Sequence, residues 1–199
     1  MITKTFSDLS RFQAKAAKSN EIHRVFIGSM MDIFEKSMPL LNATAEFETT
    51  RDLRDALFTR ILAGLYPNLM LLLLTKRPSN ILKYTHGHLD GDEPNVMYGV
   101  SVSDQKTFDT LVPQLLKVPG KHFVSMEPQL DRIELGGHDL TKLDWLIQGG
   151  ESGPHKRPFD LKWAYTMRDQ CEDRGIPYFF KQIDKVQEIP ESLMIRQFA

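Results

Sequence analysis

Leu143-Asp144-Trp145-Leu146-Ile147-Gln148-Gly149-Gly150-Glu151-Ser152-Gly153-Pro154 carries the pattern that decides the fold. Trp145-Leu146-Ile147 has the length and bulk of a buried strand. It stops at Gln148-Gly149-Gly150-Glu151-Ser152. Two glycines allow backbone to come close to a ligand. Glu151 and Ser152 fall at the strand's C-terminal end, the edge where parallel α/β folds bind ligands. Taken alone, the stretch reads equally well as an ordinary strand-to-loop turn with a solvated glutamate.

The same arrangement recurs on both sides of it. Arg24–Ile27 runs into Gly28-Ser29-Met30-Met31-Asp32, and Leu69–Leu74 into Thr75-Lys76-Arg77-Pro78. Val96–Val100 runs into Ser101-Val102-Ser103-Asp104, and His122–Val124 into Ser125-Met126-Glu127-Pro128. Tyr178–Phe180 runs into Lys181-Gln182. Helical patterns or loops lie between. Thr49 or Thr50 caps a helix whose apolar positions Leu53, Ala56, Leu57, Ile61, Leu62 and Leu65 recur at three- and four-residue steps. A short helix is expected over 79–85, and one over Phe108–Lys117 interrupted by Pro113. Leu161–Arg174 places Trp163, Ala164, Met167 and Cys171 on one face, with Gly175 as its cap. Residues 7–20 form a weaker helix capped by Ser7 or Asp8, within an N-terminal arm over 1–22. Residues 23–199 read as one domain. Repeated βα units predict a parallel sheet whose C-terminal strand ends share one rim.

Bulk numbers bound the function classes. The 199 residues carry a net charge of −1, 41% hydrophobic and 26% charged residues, as a globular protein does. Neither a nucleic-acid nor a membrane partner is announced by charge or by any long apolar run. The single cysteine, Cys171, excludes an intrachain disulfide and fits a cytoplasmic location.

Each rim residue carries two readings. Thr75, Lys76 and Arg77 suit a phosphate or carboxylate, or form a solvated turn before Pro78. Glu127 and Glu151 are able to bind a ribose, do acid–base work or share a metal, or to pair with Lys76, Arg77 or Lys181. Ser101 and Ser103 alternate along one strand and both face one side, as ligand or filler. His86, His88, Asp90 and Asp92 read as a solvated loop, so no metal site is expected.

The ordered motifs carry a resemblance. Val25 through Phe34, Leu74-Thr75-Lys76-Arg77-Pro78, Asn95-Val96 with Gly99-Val100-Ser101-Val102, and Ser125-Met126-Glu127-Pro128 belong to it. So do Asp144 through Gly153, Arg157-Pro158 and Phe179-Phe180-Lys181-Gln182. Together they resemble a phage- and prophage-encoded, radical-SAM-like protein family of largely unassigned role, over residues 22–198. The resemblance implies an α/β fold, a partial TIM-like (β/α) barrel of about six mostly parallel strands. It implies S-adenosylmethionine lying across the strand ends, with Ser29 and Asp32 near its amino-acid part. The bacterial host's cytoplasm is the implied location. Full-length members resembling this chain begin with a further strand and a three-cysteine loop that holds a [4Fe–4S] cluster. This chain is expected to start after that region, its first strand missing and residues 1–20 covering the edge. One cysteine cannot replace three, so no iron–sulfur cluster and no reductive cleavage are expected from this chain alone.

Two classes of function follow. The first is a cluster-free ligand-binding or regulatory pseudoenzyme. Its ligand candidates are Ser29, Asp32, Thr75, Lys76, Arg77, Ser101, Ser103, Glu127, Gln148, Gly149, Gly150, Glu151, Ser152 and Lys181, of which Thr75, Lys76, Arg77, Ser101, Glu127, Gln148, Glu151 and Lys181 are expected to converge on one cavity. The second is a subunit or fragment of a radical S-adenosylmethionine enzyme, or a non-radical enzyme using the inherited pocket. The partner expected is a small molecule with charged groups, with nucleic acid or protein as further possibilities and no membrane.

Overall fold

The computed structural model describes residues 2–28 and 31–199, with residues 2–5 described by their backbone alone. In chain order the elements are α1 (Ile2–Ser19), β1 (His23–Ile27), α2 (Thr50–Leu62), β2 (Leu69–Thr75), α3 (Ile81–Thr85), β3 (Val96–Ser101), α4 (Gln105–Leu115), β4 (Lys121–Met126), β5 (Trp145–Gly149), α5 (Leu161–Arg174) and β6 (Tyr178–Gln182). The strands form one sheet in the order β1-β2-β3-β4-β5-β6. The β1/β2, β4/β5 and β5/β6 pairs are parallel. This is the α/β sheet that the repeated apolar runs predict, and its sequential order is that of a partial (β/α) barrel. The chain divides into two compact units, Met1–Met97 with Val118–Gly120, and Tyr98–Lys117 with Lys121–Ala199.

In the first unit, Leu69, Leu71, Leu72 and Leu73 are fully buried, which explains a six-residue apolar run with no polar alternation. α1 packs against β1 and β2. It buries Phe6, Leu9 and Ala16, and Gln13 holds Asn68 through two hydrogen bonds, at 2.9 and 3.0 Å. The helix begins at Ile2, so Ser7 and Asp8 lie inside it rather than capping it, and Asp8 pairs with Arg11 at 3.0 Å. α2 starts at the predicted cap. Asp52 Oδ2 accepts from Thr49 N at 2.8 Å, and Thr49 Oγ1 accepts from Asp52 N at 3.4 Å. Its buried stripe is Arg54, Leu57, Phe58 and Ile61. Leu62 and Leu65, expected in that stripe, are exposed. The stripe turns because Phe58 fills the core and Arg54 finds carbonyl partners inside it.

In the second unit, strand parity separates two faces. Register pairs Val124 with Leu146 and Leu146 with Tyr178, and next Met126 with Gln148 and Gln148 with Phe180. Tyr178 and Gln148 reach the Ala164 and Trp163 carbonyls, so this face meets α5. The opposite face carries Phe123, Trp145 and Phe179. Their ring centroids stand 6.4 Å (Phe123–Trp145) and 6.0 Å (Trp145–Phe179) apart. A Cβ at Gly99 would collide with the Phe123 ring, which puts Gly99 and hence Ser101 on this second face.

α4 is continuous through Pro113, which stands in its last turn and removes one donor without ending the helix. Asp104 caps α4, accepting from Thr107 N at 2.8 Å. The β4–β5 connection holds no helix. Two glutamines clasp its backbone instead. Gln105 accepts from Glu134 N at 2.7 Å and donates to Glu134 O at 3.1 Å. Gln170 accepts from Leu135 N at 2.6 Å and donates to Ile133 O at 3.3 Å. Ile133 and Leu135 are buried there. The tail forms a 3₁₀ turn over Glu191–Leu193 and then returns antiparallel beside β6. Phe179 bridges Arg196, and Gln197 N donates to Tyr178 O at 3.1 Å.

Candidate functional site

Two groups of predicted residues stand at strand ends, one in each unit. In the first unit, Asp32 is the hub. Its Oδ1 accepts from Thr75 Oγ1 at 2.7 Å and from Phe34 N at 3.0 Å. Its Oδ2 accepts from Lys76 N at 3.0 Å and from Arg77 Nη1 at 3.1 Å. Arg77 also reaches Glu35 Oε1 at 2.8 Å, and Thr75 Oγ1 accepts from Arg77 N at 2.8 Å. The sequence thus brings Asp32, Thr75, Lys76 and Arg77 together. Four donors fill the four acceptor directions of one carboxylate, so Asp32 braces the loop after β1 against the end of β2. The Lys76 side chain is exposed and has no acid partner among the described residues. Ser29 lies outside the described residues.

Arg54, unremarked in the sequence, supports the same loop. It is buried, donates to Ile33 O at 3.0 Å and Glu35 O at 3.3 Å, and lies 4.0 Å from the Tyr84 ring centroid. Burial pushes its pKa below the ordinary guanidinium value. Its Nε has no hydrogen-bond partner among the described residues. No pattern in the sequence distinguishes this arginine from the exposed ones of the same helix.

In the second unit, Lys181 Nζ donates to Glu127 Oε2 at 2.7 Å. The Glu127 side chain is 20% exposed and that of Lys181 is 38% exposed. The register of β6 against β5 skips Lys181, so alternation does not fix its side, and its ion pair with Glu127 is what places it. Ser101 and Ser103 are half-buried. Ser103 Oγ donates to the capping Asp104 at 3.2 Å, which ties it to α4. The peptide bond between Glu127 and Pro128 is cis.

Gln148, Gly149 and Gly150 are enclosed by the protein's own groups rather than standing at an open edge. Gln148 faces α5. It donates to Gln129 Oε1 at 2.5 Å and accepts from the Tyr178 hydroxyl. All three of these polar residues are buried. Burial drives the Tyr178 hydroxyl pKa well above its ordinary value. The glycine pair is filled by the protein itself. A Cβ on Gly150 would overlap the Ile183 carbonyl and stand 2.8 Å from Phe159 Cβ, and Gly149 lies 3.3 Å from Gln182 by the same measure. Gln182 fixes this turn, with Gly150 N donating to Gln182 O and Gln182 Nε2 to Gly150 O, each at 3.0 Å.

Beyond the turn, Glu151 accepts from Arg157 three times, from Nε and Nη2 at 2.7 Å and from the backbone N–H at 2.9 Å. The Arg157 side chain first, then its N–H, holds the Glu151 carboxyl at about 2, well below its ordinary 4.5. Ser152 is exposed. Lys156 and Asp184 form a neighbouring pair at 2.7 Å. The backbone N–H of Gln187, followed by Lys156, drives the Asp184 pKa far below its usual range. Asp184 escaped the sequence reading although it lies two residues past β6, where a polar strand end was being sought. Arg157 belongs to the Arg157-Pro158 motif, whereas the cations at the strand ends, Lys76, Arg77 and Lys181, are the partners that the sequence suggests for Glu151.

Cys171 is fully buried on α5, and burial pushes its thiol up to about 12.

No helix among the described residues is long and apolar enough to cross a membrane. No curated protein and no solved structure matches the sequence. The family described as "Protein of unknown function (DUF5131)" matches residues 7–192, nearly the whole chain, and the protein therefore belongs to that family.

Proposed function

We propose that the protein is a cluster-free binding protein whose second unit takes a small zwitterion, with S-adenosylmethionine as the first ligand to test. The observation that carries this reading is the Glu127–Lys181 pair. Its carboxylate has one donor among the described residues, and both side chains reach solvent. A ligand carrying a carboxylate and an ammonium offers the same two charges and replaces the pair without leaving either group unmatched. Ser101, with a hydroxyl that takes no partner among the described residues, supplies a further hydrogen bond. Asp32 is a poorer ligand residue because its acceptors are already taken. Radical chemistry by this chain alone is not part of this reading, since Cys171 is the one cysteine in its sequence.

Calorimetry with S-adenosylmethionine tests it. Wild type should bind, and Glu127→Gln and Lys181→Ala should each weaken binding by about tenfold, roughly 1.4 kcal/mol. Absence of binding by wild type at roughly millimolar ligand would refute the zwitterion reading and leave the pair as a surface ion pair.

A further inference from the structure

A cavity of about 580 Å³ opens in the second unit at the N-terminal end of β6, the end away from Lys181. Ligand sites span roughly 300–1,000 Å³. Its apolar walls come from Ile176 and Pro177, which lead into β6, and from Ile195 and Phe198 of the returning tail. Two charged side chains of α5 stand at it, Arg168 and Glu172. They are not equivalent. Arg168 is already neutralised, with its Nε 2.8 Å and its Nη2 2.6 Å from Asp169 Oδ1. Glu172 has no acid–base partner among the described residues and is exposed. The C-terminal end of a helix adds partial negative charge at the same place. An open, mainly apolar cleft with a carboxylate that no cation pairs among the described residues favours a cation with an apolar body. Phe198, 48% exposed, presents ring surface that favours the same charge.

We propose that this cavity binds a small primary amine bearing an aromatic or aliphatic body, its ammonium held by Glu172 and its body laid between Ile176, Pro177, Ile195 and Phe198. The proposal is independent of the zwitterion reading of the Glu127–Lys181 pair.

Phenethylamine is the probe, titrated calorimetrically at neutral pH, with 3-phenylpropionate as the matched anion. Wild type should bind the amine saturably at one site and give no saturable heat with the anion. Glu172→Gln, at an exposed position, should keep its melting temperature and weaken the amine by about tenfold. Ile195→Trp should fill the cavity and abolish binding. Lys181→Ala should leave amine binding unchanged, which separates this site from the other. The proposal is overturned if wild type shows no saturable binding up to roughly 10 mM amine. It is equally overturned if Glu172→Gln binds like wild type, or if the anion binds as well as the amine.

Discussion

At the ends of β1 and β2 a carboxylate is surrounded by donors, whereas at the ends of β4 and β6 a carboxylate meets one ammonium. Asp32 accepts four hydrogen bonds and its side chain is 13% exposed. Among the described residues Glu127 accepts one, from a lysine that is more than a third exposed. Both are acids at the close of apolar strands and look alike as residue types. Their consequences differ. Opening the first leaves several polar groups without partners, each costing about 1–3 kcal/mol when buried. Opening the second returns two charges to water at little cost. A strand end built like the first holds a loop in place, and one built like the second opens at lower cost.

Asp32→Ala is the sharpest way to break this contrast. It should lower stability by about 3 kcal/mol, measured by urea unfolding. A loss below about 1 kcal/mol would put Asp32 in the same class as exposed ion pairs. Gln148→Leu comes next. It removes the partner of both the Tyr178 hydroxyl and Gln129, and should cost about 2 kcal/mol. Unchanged unfolding would mean that the network under α5 contributes nothing net. For the Glu127–Lys181 pair, a double-mutant cycle with Glu127→Gln and Lys181→Ala should return a coupling of about 0.2–1 kcal/mol, smaller still in high salt. A coupling like that of a buried pair would remove that difference in cost.

The smallest effect expected is the pH response of Glu151. Its folded pKa of about 2 lies below the ordinary 4.5 because of Arg157. A depressed folded pKa means that the unfolded chain takes up the proton first, so the contribution is complete above about 4.5 and disappears as pH falls towards 2. The melting temperature of wild type should therefore converge with that of Glu151→Gln over this range. A constant difference down to pH 2 would assign the effect to another group.

Strand positions were legible because burial on both faces leaves uninterrupted apolar runs, as in Leu69–Leu74. Helix starts at Thr49 and the stop at Gly175 were legible because capping chemistry is local. The start of α1 was not, since its buried stripe consists of little more than Phe6, Leu9 and Ala16. The Asp32, Thr75, Lys76 and Arg77 group was found by position alone, because strand ends bring those segments together. Gln148 was singled out by the same reasoning. Proximity to the strand end was read correctly, but the parity that turns its side chain towards α5 depends on register with β4 and β6. Arg54 and Asp184 depend on partners far away in sequence or in a turn, and residue type says nothing of either.

Gln105 and Gln170 hold the backbone from Ile133 to Leu135 through side-chain amides. Neither amide titrates, so this attachment is indifferent to acid and to salt. Peptide protons at Glu134 and Leu135 are tied down as firmly as those in a regular element, although the segment forms none. Solvent deuterium should therefore enter these two positions slowly, in the middle of a connection that an inspection of secondary structure alone would rank among the fastest to exchange.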